Sequence, residues 1–123
     1  MSIIDNKSVN LEEWRPGVLT RKLTGAFSGA RSLFLMEQTL HPDKGAPLHV
    51  HEVEELLYIK SGALNVYIDA PDEVQEFRAS SNQTVLIPAS LPHSFLNVSD
   101  AEAVVLVFFP HSDPFQLSVT QYV

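Results

Sequence analysis

Turn-forming residues punctuate this chain at intervals too short for long helices. Prolines, glycines and small polar residues separate short apolar runs. His41-Pro42-Asp43-Lys44-Gly45-Ala46-Pro47 is one such break. Ala70-Pro71-Asp72-Glu73, Ser80-Ser81-Asn82, Pro88-Ala89-Ser90-Leu91-Pro92 and Ser99-Asp100-Ala101 are others. The intervening segments read as strands over residues 33–40, 55–60, 63–69, 74–78, 84–87, 94–98 and 103–109. Ser61-Gly62, between two of these runs, predicts a hairpin. The one helix candidate is short and lies around Asn10-Leu11-Glu12-Glu13-Trp14. His51 to Leu57 has a helical spacing too, but it runs straight into Tyr58-Ile59 and the Ser-Gly turn, so a strand is preferred. The pattern predicts an all-β protein, a sandwich or a barrel.

A chain of 123 residues is expected to form one domain. Its folded surface should be about two-thirds smaller than that of the extended chain, enough for one core without disulfides. Residues 1–30 are expected to be an arm with edge strands, and residues 31–123 the barrel. The absence of cysteine excludes disulfides, thiolate metal sites and a cysteine nucleophile. It fits a reducing, cytoplasmic setting. The net charge is −7, with no basic cluster. Such a surface is poorly suited to phosphate backbones or anionic lipid, so no nucleic-acid or membrane partner is expected. The longest apolar run, Ala103 to Phe109, is too short to cross a bilayer. The first residues show no signal-peptide pattern.

Chemistry concentrates in His49-Val50-His51, Glu55 and the distant His93. Residues two apart in a strand share a face, so His49 and His51 project together. Glu55 has the same parity if no bulge intervenes, as do the apolar Val53, Leu57 and Ile59. That shared face is therefore the inner one. Two imidazoles and a carboxylate buried there would be costly unless paired, and a divalent cation would pair all of them at once. Each histidine taken alone could equally be a hydrogen-bonded core residue. His41 and His111, each beside a proline or a loop serine, read as surface residues.

The spacing of these residues resembles that of the cupin superfamily. The first cupin motif is met by His49, His51, Glu55 and Gly62, and the second by Pro88, His93 and Asn97. Seven matches at fixed spacing would arise by chance on the order of 10⁻⁹ per register, at residue frequencies of a few per cent. The family has glycine where Asp43, Asn82 and Ser90 stand. Asp and Asn tolerate left-handed backbone best among the other residues, and Ser90 is the harder case. The resemblance covers roughly residues 33 to 110. It implies an antiparallel double-stranded β-helix, or jelly-roll barrel, of the single-domain monocupin type. It also implies that His49, His51, Glu55 and His93 hold a divalent transition metal: Fe, Mn, Ni, Co, Cu or Zn. Trp14, Pro16-Gly17-Val18 and Arg21 resemble the N-terminal strands of small bacterial monocupins, and Arg21-Lys22 reads as a solvated pair. A homodimer is implied as well, since family members often pair through such strands.

Strand parity places Phe34, Met36, Gln38 and Leu40 on the inner face of their strand. Gln38 is then a polar residue in an apolar lining. It would either orient a ligand or hydrogen-bond a neighbouring backbone. Phe34, Met36 and Phe108 (or its neighbour Phe109) are candidates for a pocket wall, or for plain core. The ligand set implies a metal-dependent enzyme acting on a small-molecule substrate. Dioxygenase-like chemistry is the first expectation, with a lyase or isomerase next. Glu55 would stay a ligand or act as acid or base. A non-catalytic module that binds metal and ligand is the alternative. Four intact ligands argue against a metal-free sugar isomerase or epimerase.

Overall fold

Alternation of buried and exposed side chains, the period of a pleated strand, governs almost the whole chain. A computed structural model describes residues 3–123. Met1 and Ser2, the start of the expected arm, lie outside the described residues. Eleven strands occur among the described residues. They are β1 (Glu12–Arg15), β2 (Val18–Thr24), β3 (Phe34–Leu40), β4 (Gly45–His51), β5 (Glu55–Ser61), β6 (Ala63–Asp69), β7 (Val74–Ser80), β8 (Thr84–Ile87), β9 (His93–Asn97), β10 (Ala103–Phe109) and β11 (Thr120–Tyr122). Two short 3₁₀ turns, Asn6–Ser8 and Ala26–Ser28, complete the elements.

The strands form two antiparallel sheets, ordered β1-β2-β3-β10-β5-β8 and β11-β4-β9-β6-β7. This is the all-β jelly-roll barrel expected from the sequence. The core lies between the sheets. Met36, Leu40, Leu57, Ile59, Val105, Val107 and Phe109 face in from the first, and Leu64, Val66, Ile68 and Phe95 from the second. Burying each such side chain contributes about 1.5–3 kcal/mol before entropy is counted.

Three local expectations are corrected. Ser61-Gly62 is not a hairpin, because β5 and β6 belong to different sheets. It is a corner where the chain changes sheets. Gly62 has φ +83°, and a Cβ there would sit 2.7 Å from the Ala103 Cβ. The helix candidate around Asn10–Trp14 is instead β1, paired to β2 with a bulge between Glu13 and Arg15. Short local spacing gave way to hydrogen bonding along an open sheet edge. Arg21 and Lys22 are not merely solvated: Arg21 pairs with Glu37 at 3.3 Å and donates to the Val9 carbonyl, and Lys22 lies 3.6 Å from Glu12.

Asp43, Asn82 and Ser90 all adopt left-handed backbone, with φ of 64°, 66° and 66°. These are the positions where the family has glycine. Serine lacks the local bonding that favours Asp and Asn in this region, so Ser90 carries about 1 kcal/mol of strain. Its N–H donates to the His51 carbonyl at 2.7 Å, which ties the turn before β9 to the end of β4. Gly45 is required for a different reason: a Cβ there would lie 1.9 Å from the Phe95 carbonyl oxygen on β9.

Candidate metal centre

His49 and His51 reach one face from β4, and His93 stands directly opposite His49 on β9. Glu55 comes from the other sheet, at the start of β5. The expectation of one continuous strand through Glu55 therefore fails at residues 52–54, where the chain turns. The inward parity survives because both ends of the turn face the barrel interior. The donor atoms of His49, His51, Glu55 and His93 all lie within 4.8 Å of one another, an arrangement that can hold a metal ion. All four side chains are buried. His41 and His111 stay outside the cluster; His41 pairs with Glu102 at 3.3 Å, and His111 accepts from the Asp113 N–H.

Each imidazole is held by its Nδ1. His49 Nδ1 lies 2.7 Å from the Pro47 carbonyl, and His93 Nδ1 lies 2.9 Å from the Leu91 carbonyl. A carbonyl only accepts, so both Nδ1 atoms carry the hydrogen. His51 Nδ1 lies 2.6 Å from Thr120 Oγ1, and that hydroxyl donates onward to the Pro114 carbonyl. Thr120 therefore accepts from His51. In all three rings the Nε2 is left for the interior. The backbone sets up these anchors. A register shift in β4 between Ala46 and His49 brings the Pro47 carbonyl under its ring, and Thr120 pairs opposite His51 in the β11–β4 ladder.

Glu55 Oε1 lies 2.9 Å from His93 Nε2 and 3.3 Å from His51 Nε2. The second contact lacks hydrogen-bond geometry, and His51 Nε2 is a buried nitrogen without a partner. An orphaned lone pair in the interior is costly unless something accepts it. A cation seated among the three Nε2 atoms and Glu55 would do so, and the donor set fits a divalent transition metal. The charges agree with this. Burial alone would raise the Glu55 pKa, but the imidazoles of His51 and His93 outweigh it and hold the carboxyl at about 2. Burial alone would lower His93, and the Glu55 carboxylate overrides it, so His93 is raised above 6.5. Burial, then the charge of His93, lowers His49 to about 4.

The cavity over these donors is small, about 20 Å³, room for one water-sized group. Trp14, Met36, Gln38, Phe115 and Tyr122 line it. Met36 and Gln38 face inward as expected, and Gln38 donates its amide to Thr20 at 3.0 Å. Phe34 sits one layer behind, its ring centroid 5.6 Å from that of Phe115. Phe108 is corrected: Ala103, Val105, Val107 and Phe109 are the inward residues of β10, so alternation turns Phe108 to the outer face. Phe109 packs edge-on to His51 at 4.8 Å. Sequence reasoning missed Trp14, Phe115, Thr120 and Tyr122. A signal for the last two existed, since Val119-Thr120-Gln121-Tyr122-Val123 is rich in β-branched and aromatic residues.

The cupin-domain profile matches residues 36–109, and the chain belongs to the cupin domain family. A curated relative, the polyketide synthase CurC of Streptomyces cyaneus, is 31% identical over 102 residues, 82% of this chain and 64% of CurC. The chain thus spans a little under two-thirds of that relative. Among solved structures, the polyketide cyclase RemF from Streptomyces resistomycificus superposes with a TM-score of 0.77 at 25% identity, covering 89% of this chain and 79% of RemF. A variant of oxalate decarboxylase from Bacillus subtilis gives a TM-score of 0.84 at 19% identity, over 100% of this chain and 33% of that one, a likeness of fold alone. All three are enzymes by name. Among the described residues, no helix is long and apolar enough to cross a membrane.

Proposed function

We propose that this protein is a metal-dependent cupin enzyme that closes rings in a small, enolisable aromatic or poly-keto substrate. The observation that carries the reading is the orphaned His51 Nε2 among three anchored imidazoles and Glu55, set beneath an aromatic wall. The likeness to the polyketide cyclase RemF supports ring closure in preference to dioxygenation. His49, His51, Glu55 and His93 would hold a divalent metal, which when bound supplies a Lewis acid able to polarise a carbonyl.

The chain's own groups do the rest. Thr120, Pro47 and Leu91 fix the three rings, so the donors need no reorganisation. Glu55 is ionised at working pH and serves as the anionic donor. With a pKa near 2 it is a weak base, so its role as ligand is favoured over acid–base work. Trp14, Met36 and Phe115 would exclude water from one side, and Gln38, held by Thr20, would orient a substrate oxygen. Ring closure by aldol condensation forms one carbon–carbon bond and releases one water, and it consumes no oxidant.

The test pairs mass spectrometry with an oxygen electrode. Metal-reconstituted protein is incubated with an acyclic aromatic poly-β-ketone. A product lighter by one water, formed without oxygen uptake and lost in His51→Ala, is the expected result. Oxygen consumption with oxygen atoms gained by the product would overturn ring closure in favour of an oxygenase.

A further inference from the structure

The cavity over the donors, about 20 Å³, admits one oxygen atom of a ligand, so the body of a substrate must lie outside it. Arg15, Ala46 and Phe95 line both that cavity and an open groove of about 400 Å³ on the barrel surface. Asp43 and Lys44 are the other charged residues of the groove.

Arg15 stands at this junction because of the bulge in β1. Consecutive residues of a regular strand point to opposite faces. Trp14 and Arg15 nevertheless both line the donor cavity, and the register slip between Glu13 and Arg15 is what turns them the same way. Neutral groups then fix the guanidinium. Its Nη1 donates to the Gly45 carbonyl at 3.2 Å, and its Nη2 to the Tyr122 hydroxyl at 3.1 Å. The Tyr122 ring centroid lies 5.9 Å from the Arg15 guanidinium carbon. It lies 5.9 Å from the ring centroid of His49, its partner in the β11–β4 ladder.

The charge on Arg15 is unusual for this chain, which has 15 acidic and 8 basic residues. Arg21, Lys22 and Lys60 pair with carboxylates, and Lys7, Arg31, Lys44 and Arg78 are exposed. Among the described residues, Arg15 is the one half-buried cation without a carboxylate partner. A charge partly withdrawn from water with only neutral partners is costly, and an incoming anion would offset that cost. The Tyr122 hydroxyl accepts from Arg15, and no hydrogen bond among the described residues uses its own hydrogen. Two donors therefore stand side by side at the mouth of the cavity.

We infer that Arg15 and Tyr122 form a carboxylate-binding subsite, so that the substrate is a keto acid and not a neutral ketone. This rests on the donor-site reading above. One carbonyl oxygen would reach the donors, and the carboxylate would accept from a free guanidinium N–H and the Tyr122 hydroxyl. The rest of the molecule would lie in the groove. A net charge of −7 disfavours anions elsewhere on the surface, so the selectivity is local.

The test measures binding by calorimetry to the zinc-loaded protein. The probes are acetopyruvate, an enolisable diketone bearing a carboxylate, and its methyl ester, which lacks the charge. Acetopyruvate should bind more tightly, and added salt should weaken it while sparing the ester. Arg15→Met should weaken acetopyruvate about tenfold or more and leave the ester within about twofold. Arg15→Lys should recover part of the loss. Tyr122→Phe keeps the ring over His49, so it tests the subsite even where Arg15→Met disturbs β1; it should weaken acetopyruvate about threefold to tenfold and spare the ester. Equal weakening of both probes would make Arg15 a structural tether only and overturn the subsite. A preference for acetopyruvate that survives in Arg15→Met and Tyr122→Phe would put the carboxylate on the metal and overturn it too. The donor-site reading fails separately, if the ester binds His51→Ala as tightly as the unaltered protein. If neither probe binds the zinc-loaded protein, both readings fall.

Discussion

Thr120→Val removes one hydroxyl and changes almost nothing else in shape. Thr120 is 4% exposed and touches the site only through His51. Its oxygen accepts from His51 Nδ1 at 2.6 Å and passes its own hydrogen to the Pro114 carbonyl. In the variant, both the Nδ1–H and that carbonyl lose their partners in the interior. Each such loss costs about 1–3 kcal/mol, so metal-free stability should fall by roughly 2–6 kcal/mol. The His51 ring is also released to turn, and loss of such a supporting bond lowers metal affinity by about 10–100-fold. A chelating indicator dye in competition with Zn²⁺ or Ni²⁺ reads the affinity, and urea unfolding reads the stability. Thr120→Ser keeps the hydroxyl and should restore most of the affinity. If Thr120→Val binds metal within twofold of the unaltered protein, the hydroxyl does not set the His51 orientation, and the assignment of its Nε2 as a prepared donor is wrong.

The remaining predictions concern ligands, protons, a buried amide and assembly. His51→Ala should lose stoichiometric metal while staying folded, and His41→Ala should keep its full complement; elemental analysis of untagged protein decides, and a lost ion in His41→Ala would mean the wrong third histidine. His93 is raised in the metal-free protein, so an incoming ion must displace its proton. Affinity should rise with pH up to the His93 pKa, with at least one proton released per ion at pH 6, counted by calorimetry in buffers of different ionisation heat; His49, at about 4, adds no such competition above pH 5. For the metal-free fold, the Glu55 contribution is complete above its unfolded pKa of about 4.5 and is lost as pH falls toward 2, visible as an acid limb of unfolding that Glu55→Gln should flatten. Asn97→Ala removes amide bonds to the Leu40 and Ala101 carbonyls and an acceptor for the Ser99 N–H, all at 2.8–2.9 Å, and should cost about 3–5 kcal/mol in urea without changing metal stoichiometry. Light scattering is expected to find a homodimer.

The barrel was legible because its period is short and its turns are chemically explicit. Strands 84–87 and 103–109 coincide with the sequence reading at both ends, since each is bounded by turn residues. Parity identified the inward donors even though the chain turns at residues 52–54, because a strand leaving the turn in the facing sheet still points its alternate residues inward. What parity cannot supply is the neighbour. Ser61-Gly62 has the composition of a two-residue hairpin, and only the close approach of Ala103 reveals a corner between sheets. The choice between Phe108 and Phe109 depended on a register set by pairing to β3 and β5, which are distant in sequence. Asp43 and Asn82 kept the left-handed turns for the reason expected, and Ser90 kept it against its own preference because its N–H is held by the His51 carbonyl.

Donors and wall come from different parts of the chain, and this has a consequence. His49, His51, Glu55 and His93 all lie within the stretch that the cupin profile spans. Trp14, Phe115, Thr120 and Tyr122 lie outside it, on the first edge strand and the last segment. The central barrel is bound by mutual packing, so a change there costs stability before it changes specificity. The flanking segments are held at a bulge, by a few turn hydrogen bonds and by a three-residue strand. They can vary while the donors stay fixed. Thr120 is the exception, because it stands in the last segment and yet holds a donor ring. A substitution at Trp14 should therefore alter which small enol binds while metal affinity holds. A substitution at Thr120 should alter metal affinity while the preference among small enols holds. The two effects separate at Trp14 and not at Phe115, whose ring centroid lies 6.1 Å from that of His51 and which follows the Pro114 carbonyl that holds Thr120.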